Sequence, residues 1–186
     1  MPIQRPFASD YIVEEFREFA GCETEERLFY PGASPFGGRD GLMVRVAPAT
    51  RQSWVGCFAF GLAGTDTNVV TTCPNPGELC VVSAGDGYIV RADDPQSWES
   101  VRCGRICDVK AAPAHGLLIF ADDTNVVAYG CDGLQWQSPR VSSDGVELVA
   151  VDAECVEIVG WHPSEQKNVR VFVSLQDGEI LSRASV

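Results

Sequence analysis

Residues 106–140 have the sequence ICDVKAAPAHGLLIFADDTNVVAYGCDGLQWQSPR, in which four short apolar runs are separated by turn residues. The runs cover residues 106–112, 117–121, 125–130 and 134–138, with Gly, Pro, Asp and Asn between them. Short runs rich in β-branched and aromatic residues, bounded in this way, are typical of strands joined by hairpins. The stretch therefore predicts one antiparallel sheet of four strands.

A looser copy of this stretch lies 39 positions earlier in the chain. Pro74 aligns with Pro113, and Trp98 lies one residue out of register with Trp136. A period of about 40 residues with four strands in each unit is typical of propeller blades. A third copy follows, with predicted strands at residues 147–152, 155–161, 169–175 and 179–182.

The N-terminal stretch SDYIVEEFREFAG, residues 9–21, predicts one short helix. Ser9 or Asp10 can cap its first turn, acidic residues follow, and Gly21 can end it. Residues 42–47 and 54–62 are two further apolar runs, and they predict a hairpin.

These patterns predict an all-β single domain of antiparallel four-stranded repeat units with one short N-terminal helix. The repeats favour a propeller-like assembly, open or incomplete, and a β-sandwich is the alternative. Three units are too few for a closed propeller of four or more blades. Three arrangements are compatible with this count: the N-terminal hairpin completes a fourth sheet, the ring stays open, or subunits close it together. The predicted division is a helix and connector at 1–30, a hairpin at 31–68 and repeat units at 69–105, 106–143 and 144–186.

The chain is strongly acidic, since 26 Asp and Glu against 14 Lys and Arg give a net charge of −12. A polyanion repels nucleic acid backbones and anionic membrane surfaces, so neither is an expected partner. A basic protein would be attracted and steered toward it. We see no apolar stretch of membrane-spanning length and no secretory signal in the first residues, and we therefore expect a cytoplasmic protein.

The eight cysteines are expected to be reduced thiols in that compartment. Cys57, Cys80 and Cys155 lie within apolar runs, where cysteine behaves as a small buried hydrophobe. Cys103 and Cys107 form a Cys-x3-Cys pair, but no second pair accompanies it, so zinc is not supported. We predict no metal and no cofactor.

Five residues are the candidate ligand- or partner-binding residues. His115 and His162, the two histidines, lie at turns between predicted strands. Asp122 and Asp123 are adjacent carboxylates, which more often cap a turn than share a proton. Trp161, beside His162, is the aromatic residue best placed for surface exposure.

The run GLLIFADDTNVVAYGCDGLQWQSPRVSSDGVELVAVDAECVEIVGW, residues 116–161, resembles a widespread group of uncharacterised bacterial proteins. In that group a similar block precedes a Trp-containing strand and a final apolar strand ending in Asp-Gly or Thr-Gly. Residues 168–178 match this ending. The likeness extends over about the last 110 residues of the chain. The resemblance implies a bacterial origin and an all-β repeat fold. It implies no activity and no catalytic residues.

Three functional hypotheses follow from these observations. The first is a non-catalytic acidic binding module for another protein, one version being an immunity-type protein against a basic toxin. The second is a small-molecule or carbohydrate binder that uses the loop end of the sheets. A small hydrolase-like enzyme is the least favoured, because it would need one of the two histidines or a carboxylate pair. No catalytic residue is assigned, and oligomerisation is left open.

Overall fold

The structure is a computed structural model that describes residues 3–16, 25–61 and 65–185. These residues form four four-stranded β-sheets and one turn of 3₁₀ helix, Pro113–His115. The chain divides into two compact units, residues 1–101 and 102–186, and each unit contains two of the sheets.

The first unit contains sheets 1 and 2. In sheet 1 the strand order is β1-β3-β4-β2, and β2 pairs parallel with β4, whereas the other pairs are antiparallel. An isolated parallel bridge joins Gln4 to Thr71 of sheet 2. Sheet 2 is antiparallel, with neighbouring strands in chain order. The strands are β1 (Tyr11–Glu15), β2 (Glu26–Tyr30), β3 (Gly41–Pro48), β4 (Trp54–Ala59), β5 (Val69–Thr72), β6 (Glu78–Ser83), β7 (Asp86–Arg91) and β8 (Trp98–Ser100).

The second unit contains sheets 3 and 4, which are both antiparallel with neighbouring strands in chain order. Sheet 3 consists of β9 (Asp108–Ala112), β10 (Leu117–Ala121), β11 (Val126–Gly130) and β12 (Gly133–Gln137). Sheet 4 consists of β13 (Val146–Val151), β14 (Cys155–His162), β15 (Lys167–Ser174) and β16 (Ile180–Ser185).

The predicted all-β fold built from repeated four-stranded sheets is confirmed. The three predicted repeat units correspond to sheets 2, 3 and 4, whose strand order is that of a propeller blade. The predicted N-terminal hairpin is present as β3 and β4, and β1 and β2 complete a fourth sheet around it.

The predicted short N-terminal helix is wrong where the structure describes it, because residues 11–15 form strand β1. Tyr11 and Val13 are buried while Ile12 and Glu14 are exposed, which is the two-residue period of a strand. Val13 pairs with Val46 of β3, so the pairing partner decides the conformation over the local helix signals. Residues 17–21 of the predicted helix lie outside the described residues.

The core of the first unit lies between sheets 1 and 2 and is rich in aromatic rings. Tyr30 of β2 stacks on Phe58 of β4, with ring centroids 4.5 Å apart and an interplanar angle of 9°. Trp54 is fully buried, and its indole Nε1 donates a hydrogen bond of 2.9 Å to the carbonyl of Ala92, which follows β7. The buried indole N–H of Trp54 therefore has a hydrogen-bond acceptor, as buried polar groups require.

The core of the second unit lies between sheets 3 and 4 and is organised in the same way. Trp136 of β12 is buried in it, and its indole Nε1 donates to the carbonyl of Leu175 at 2.9 Å. A carboxylate adds a second link, since Asp108 at the start of β9 accepts the backbone N–H of Leu148 at 3.0 Å. Leu148 lies beside a register irregularity of β13.

Trp98 and Trp136, which align one residue out of register, lie in the cores of different units. Trp98 pairs with Val90 and packs on the core of the first unit, whereas Trp136 pairs with Ala128 and belongs to the core of the second. The offset of one residue places the two indoles on opposite faces of their sheets, because side chains alternate along a strand.

We expect Trp136→Phe to lower the free energy of unfolding by about 1–3 kcal/mol, because it leaves the Leu175 carbonyl without its donor. Trp54→Phe should have a similar effect in the first unit. Urea denaturation followed by far-UV circular dichroism measures both. The control is Trp161→Phe, at a half-exposed ring, which should stay within about 0.5 kcal/mol of the wild type. Equal stability of all three variants would contradict the role given to the indole hydrogen bonds.

Candidate functional site

The carboxylate of Asp122 organises the loop that follows β10. Its Oδ1 accepts the backbone N–H groups of Thr124 at 2.7 Å and Asn125 at 2.8 Å, and its Oδ2 accepts that of Gly104 at 2.9 Å. Burial raises the pKa of this carboxyl, but these hydrogen bonds outweigh it and hold the pKa below its usual range. Asp122 is therefore an ionised loop-organising group, as the pattern of adjacent acids predicts.

Asp123 lies beside a guanidinium and a thiol. It forms an ion pair with Arg105 and accepts a hydrogen bond from the thiol of Cys107 at 3.5 Å. Burial, followed by the nearby carboxylates, raises the pKa of both the Cys107 and the Cys103 thiols. A nucleophilic cysteine needs a lowered pKa, so the environment of these two thiols opposes thiolate chemistry.

Trp161 and His162 end strand β14 at the same end of the second unit as Asp122 and Asp123. The His162 ring nitrogen Nε2 lies 2.8 Å from the carbonyl of Val141, and Val141 in turn donates its N–H to the carbonyl of Thr124 at 2.9 Å. This chain of contacts connects the end of β14 to the Asp122 loop. The structure thus brings four of the five candidate residues together.

His115 lies apart from the other four candidate residues. It precedes β10 in the 3₁₀ turn, whereas Asp122 follows β10. A strand of five residues spans roughly 17 Å, so the two side chains lie at opposite ends of the sheet. His115 is exposed and lines a separate cleft with Glu154 and Gln176.

A shallow cavity of about 280 Å³ lies beside Trp161, whose side chain is 38% exposed. Glu147 and Val159 are direct cross-strand neighbours, and Trp161 lies two positions beyond Val159, so all three share one face of sheet 4. Cys107, Asp144 and Asn168 also line the cavity. Within the described part of the chain, no ion pair involves Asp144 or Glu147. Indole and carboxylates together form what we call the Trp161 cavity.

The face of sheet 4 that carries Trp161 is partly open to solvent. Val149 is 41% exposed, Phe172 is half-buried, and Glu157 forms an ion pair of 3.0 Å with Arg170 across β14 and β15. In sheet 3, by contrast, every residue of β10 and β11 is buried. The sequence shows the difference as alternation of polar and apolar residues in residues 168–171 against the continuous apolar run of residues 117–121.

The sequence analysis missed Asp144 and Glu147 as members of this surface. Asp144 lies in the turn Ser-Ser-Asp-Gly, residues 142–145, and Glu147 is an outward position of the next strand. Glu147 is a charged residue between the apolar Val146 and Leu148, and this alternation of apolar and polar residues predicts that Glu147 points outward. No pattern in the sequence, however, brings it beside Trp161.

In the described ranges, no helix is long and apolar enough to cross a membrane. Likewise, the residues placed by the structure include no group of three or more His, Cys, Asp or Glu side chains that could hold a metal ion.

Several solved structures are similar to this chain. No protein-family model matches the chain, and no curated protein matches it. Among solved structures, the chain is similar to the crystal structure of the N-terminal domain of Nup159, with 10% sequence identity and a TM-score of 0.46. The alignment covers 100% of this chain and 53% of that chain, so the chain spans about half the length of the structure it matches. A likeness at this level indicates no function.

We expect Asp122→Asn to lower the free energy of unfolding at pH 7 by about 1.5–3 kcal/mol. The NH2 group of the asparagine would face the N–H of Gly104, where the carboxylate oxygen accepts a hydrogen bond in the wild type. The folded-state pKa of Asp122 is lowered, so its stabilisation is present above the unfolded-state pKa of about 3.9 and is lost as the pH falls further. The difference between variant and wild type should therefore shrink below about pH 4.

Urea denaturation at several pH values measures this difference, and Asp132→Asn, at an exposed turn of the same sheet, is the control. A stability difference for Asp122→Asn that stays constant from pH 7 to acidic pH would show that the carboxylate charge is not involved.

Proposed function

We propose that this chain is a non-catalytic binding module that captures a basic segment of another protein at the Trp161 cavity. The observation that carries the proposal is the half-exposed indole of Trp161 beside the carboxylates of Asp144 and Glu147. An exposed aromatic ring next to carboxylates that form no ion pair with any described residue has the chemistry that an arginine or lysine side chain requires.

The size of the cavity supports a side chain as its occupant. At about 280 Å³ it is smaller than the roughly 300–1,000 Å³ clefts that hold drug-sized ligands. A guanidinium placed over the Trp161 ring would gain a cation–π interaction of about 0.5–2 kcal/mol. Its N–H groups could at the same time donate to Asp144 or Glu147.

The surface around the cavity has the composition of a protein-binding site. Val149, Val159 and Phe172 supply apolar area, and the pair of Glu157 and Arg170 supplies polar groups on the same face. Interfaces characteristically combine aromatic and arginine residues at the centre with polar groups around them.

The net charge of −12 supports a basic partner in a second way. A field of this sign raises the association rate of a cationic protein and makes that rate fall with salt. A basic toxin bound by an immunity-type protein is one class of partner with these properties. The buried thiols of Cys57, Cys80 and Cys155 support the cytoplasm as the place where this binding would occur.

A deca-arginine peptide is the probe that tests the cavity. We expect Trp161→Ala and the double variant Asp144→Asn with Glu147→Gln each to weaken its binding at least about fivefold, a difference of ~1 kcal/mol. Isothermal titration calorimetry at two salt concentrations measures the affinity, and a deca-glutamate peptide should not bind.

Phe36→Ala is the matched control, because Phe36 is an exposed aromatic residue of the first unit. It should bind the peptide as the wild type does. If all variants bind alike, the peptide is held by the overall charge of the protein, and the proposed role of the Trp161 cavity is wrong.

A further inference from the structure

The second unit contains another cleft, at the end of the sheets where His115 lies. Its volume is about 650 Å³, within the range of roughly 300–1,000 Å³ that is typical of small-molecule sites. It lies between sheets 3 and 4 and is lined by residues of both. No residue of the Trp161 cavity contributes to it.

We infer that this cleft binds a neutral saccharide. The hydrogen-bonding side chains around its opening are His115, Gln135, Glu154 and Gln176. The amides can both donate and accept hydrogen bonds, and the carboxylate can accept them, which matches what vicinal hydroxyl groups require. Among the residues that the structure describes, no lysine or arginine lines the cleft, so an anionic ligand would find no cationic side chain there in a protein that is itself strongly acidic.

The base of the cleft is apolar and rigid. Leu117, Trp136 and Leu175 are buried there, and Leu181 is an exposed apolar side chain on its wall. Such a base can contact the C–H faces of a sugar ring while the polar side chains bind its hydroxyl groups. The indole of Trp136 is held in place by its hydrogen bond to the Leu175 carbonyl.

Hydrogen bonds within the protein order Gln135 and the backbone at Glu154, on the polar side of the cleft, before any ligand binds. The Gln135 Nε2 donates to the carbonyl of Gly133 at 3.1 Å. Asp152 accepts the backbone N–H groups of Glu154 and Cys155 at 2.7 and 2.8 Å, and these bonds lower the pKa of its carboxyl. Groups that are already ordered lose less conformational entropy when a ligand binds.

A glycine allows the loop before β16 to close over the indole. Gly178 has a φ of +78°, and a Cβ at this position would lie 2.7 Å from Cε3 of Trp136. Only glycine therefore lets this loop approach the ring so closely while adopting a left-handed conformation. The loop forms one wall of the cleft through Gln176.

Titration with neutral oligosaccharides tests the inference on the whole chain. The probes are maltotriose, cellotriose and chitotriose, with a uronic acid trimer and spermidine as anionic and cationic comparisons. Two-dimensional NMR follows the Trp136 indole N–H and the His115 ring signals. We expect at least one neutral trisaccharide to shift these signals saturably, with a dissociation constant of about 1 mM or tighter.

Variants on the polar side of the cleft then assign the contacts. Gln135→Ala combined with Gln176→Ala should weaken binding at least about tenfold, because hydroxyl groups lose their partners. Gln137→Ala is the matched control, since Gln137 is an exposed glutamine of the same strand that does not line the cleft. Thermal melting checks that each variant is folded.

The inference is overturned if no neutral trisaccharide shifts the cleft signals, if the double variant binds as the wild type does, or if only spermidine or the uronic acid trimer binds. It does not depend on the proposed function. Trp161→Ala should leave saccharide binding unchanged, and the double glutamine variant should leave deca-arginine binding unchanged, so failure of either proposal can be recognised separately.

Discussion

A buried indole needs an acceptor for its one polar hydrogen, and each unit of this protein supplies one from the facing sheet. Trp54 of sheet 1 donates to the carbonyl of Ala92 beside sheet 2, and Trp136 of sheet 3 donates to that of Leu175 beside sheet 4. Hydrophobic packing is non-directional, so it alone does not determine how two sheets are aligned. The directional N–H···O bond restricts that alignment, and the apolar contacts then form around it.

Sheets 3 and 4 differ in how much of each face is exposed, and only an exposed face can bind a partner. Both faces of β10 and β11 are buried, so neither face is open to a ligand. In sheet 4 one face packs in the core, while the other mixes apolar side chains with the ion pair of Glu157 and Arg170. Trp161 lies on this open face and is 38% exposed. The two candidate sites differ accordingly, because one lies on an open sheet face and the other lies between two sheets.

The strands from Val69 onward could be predicted well from sequence, because Gly, Pro, Asp and Asn mark nearly every turn between them. The N-terminal strand could not, since Glu14 and Glu15 give residues 11–15 a helical pattern and the distant partner strand β3 decides their conformation. For the candidate site, the sequence indicated Trp161 and the turn-organising role of Asp122. The predicted strand at residues 117–121 also separates His115 from Asp122, so the sequence contains the signal that places the two residues at opposite ends of sheet 3.

The parallel pairing of β2 with β4 has a consequence for how the protein forms during synthesis. Sheets 2, 3 and 4 join strands that are adjacent in the chain, so each can assemble as soon as its own residues leave the ribosome. Strand β2 cannot pair until β4 has been made, and Gln4 cannot form its bridge until Thr71 has been made. Contacts between such distant residues form slowly, because the intervening chain must first be closed into a loop. Strands β1 and β2, although made before their partners, therefore stay unpaired until β3 and β4 have been made.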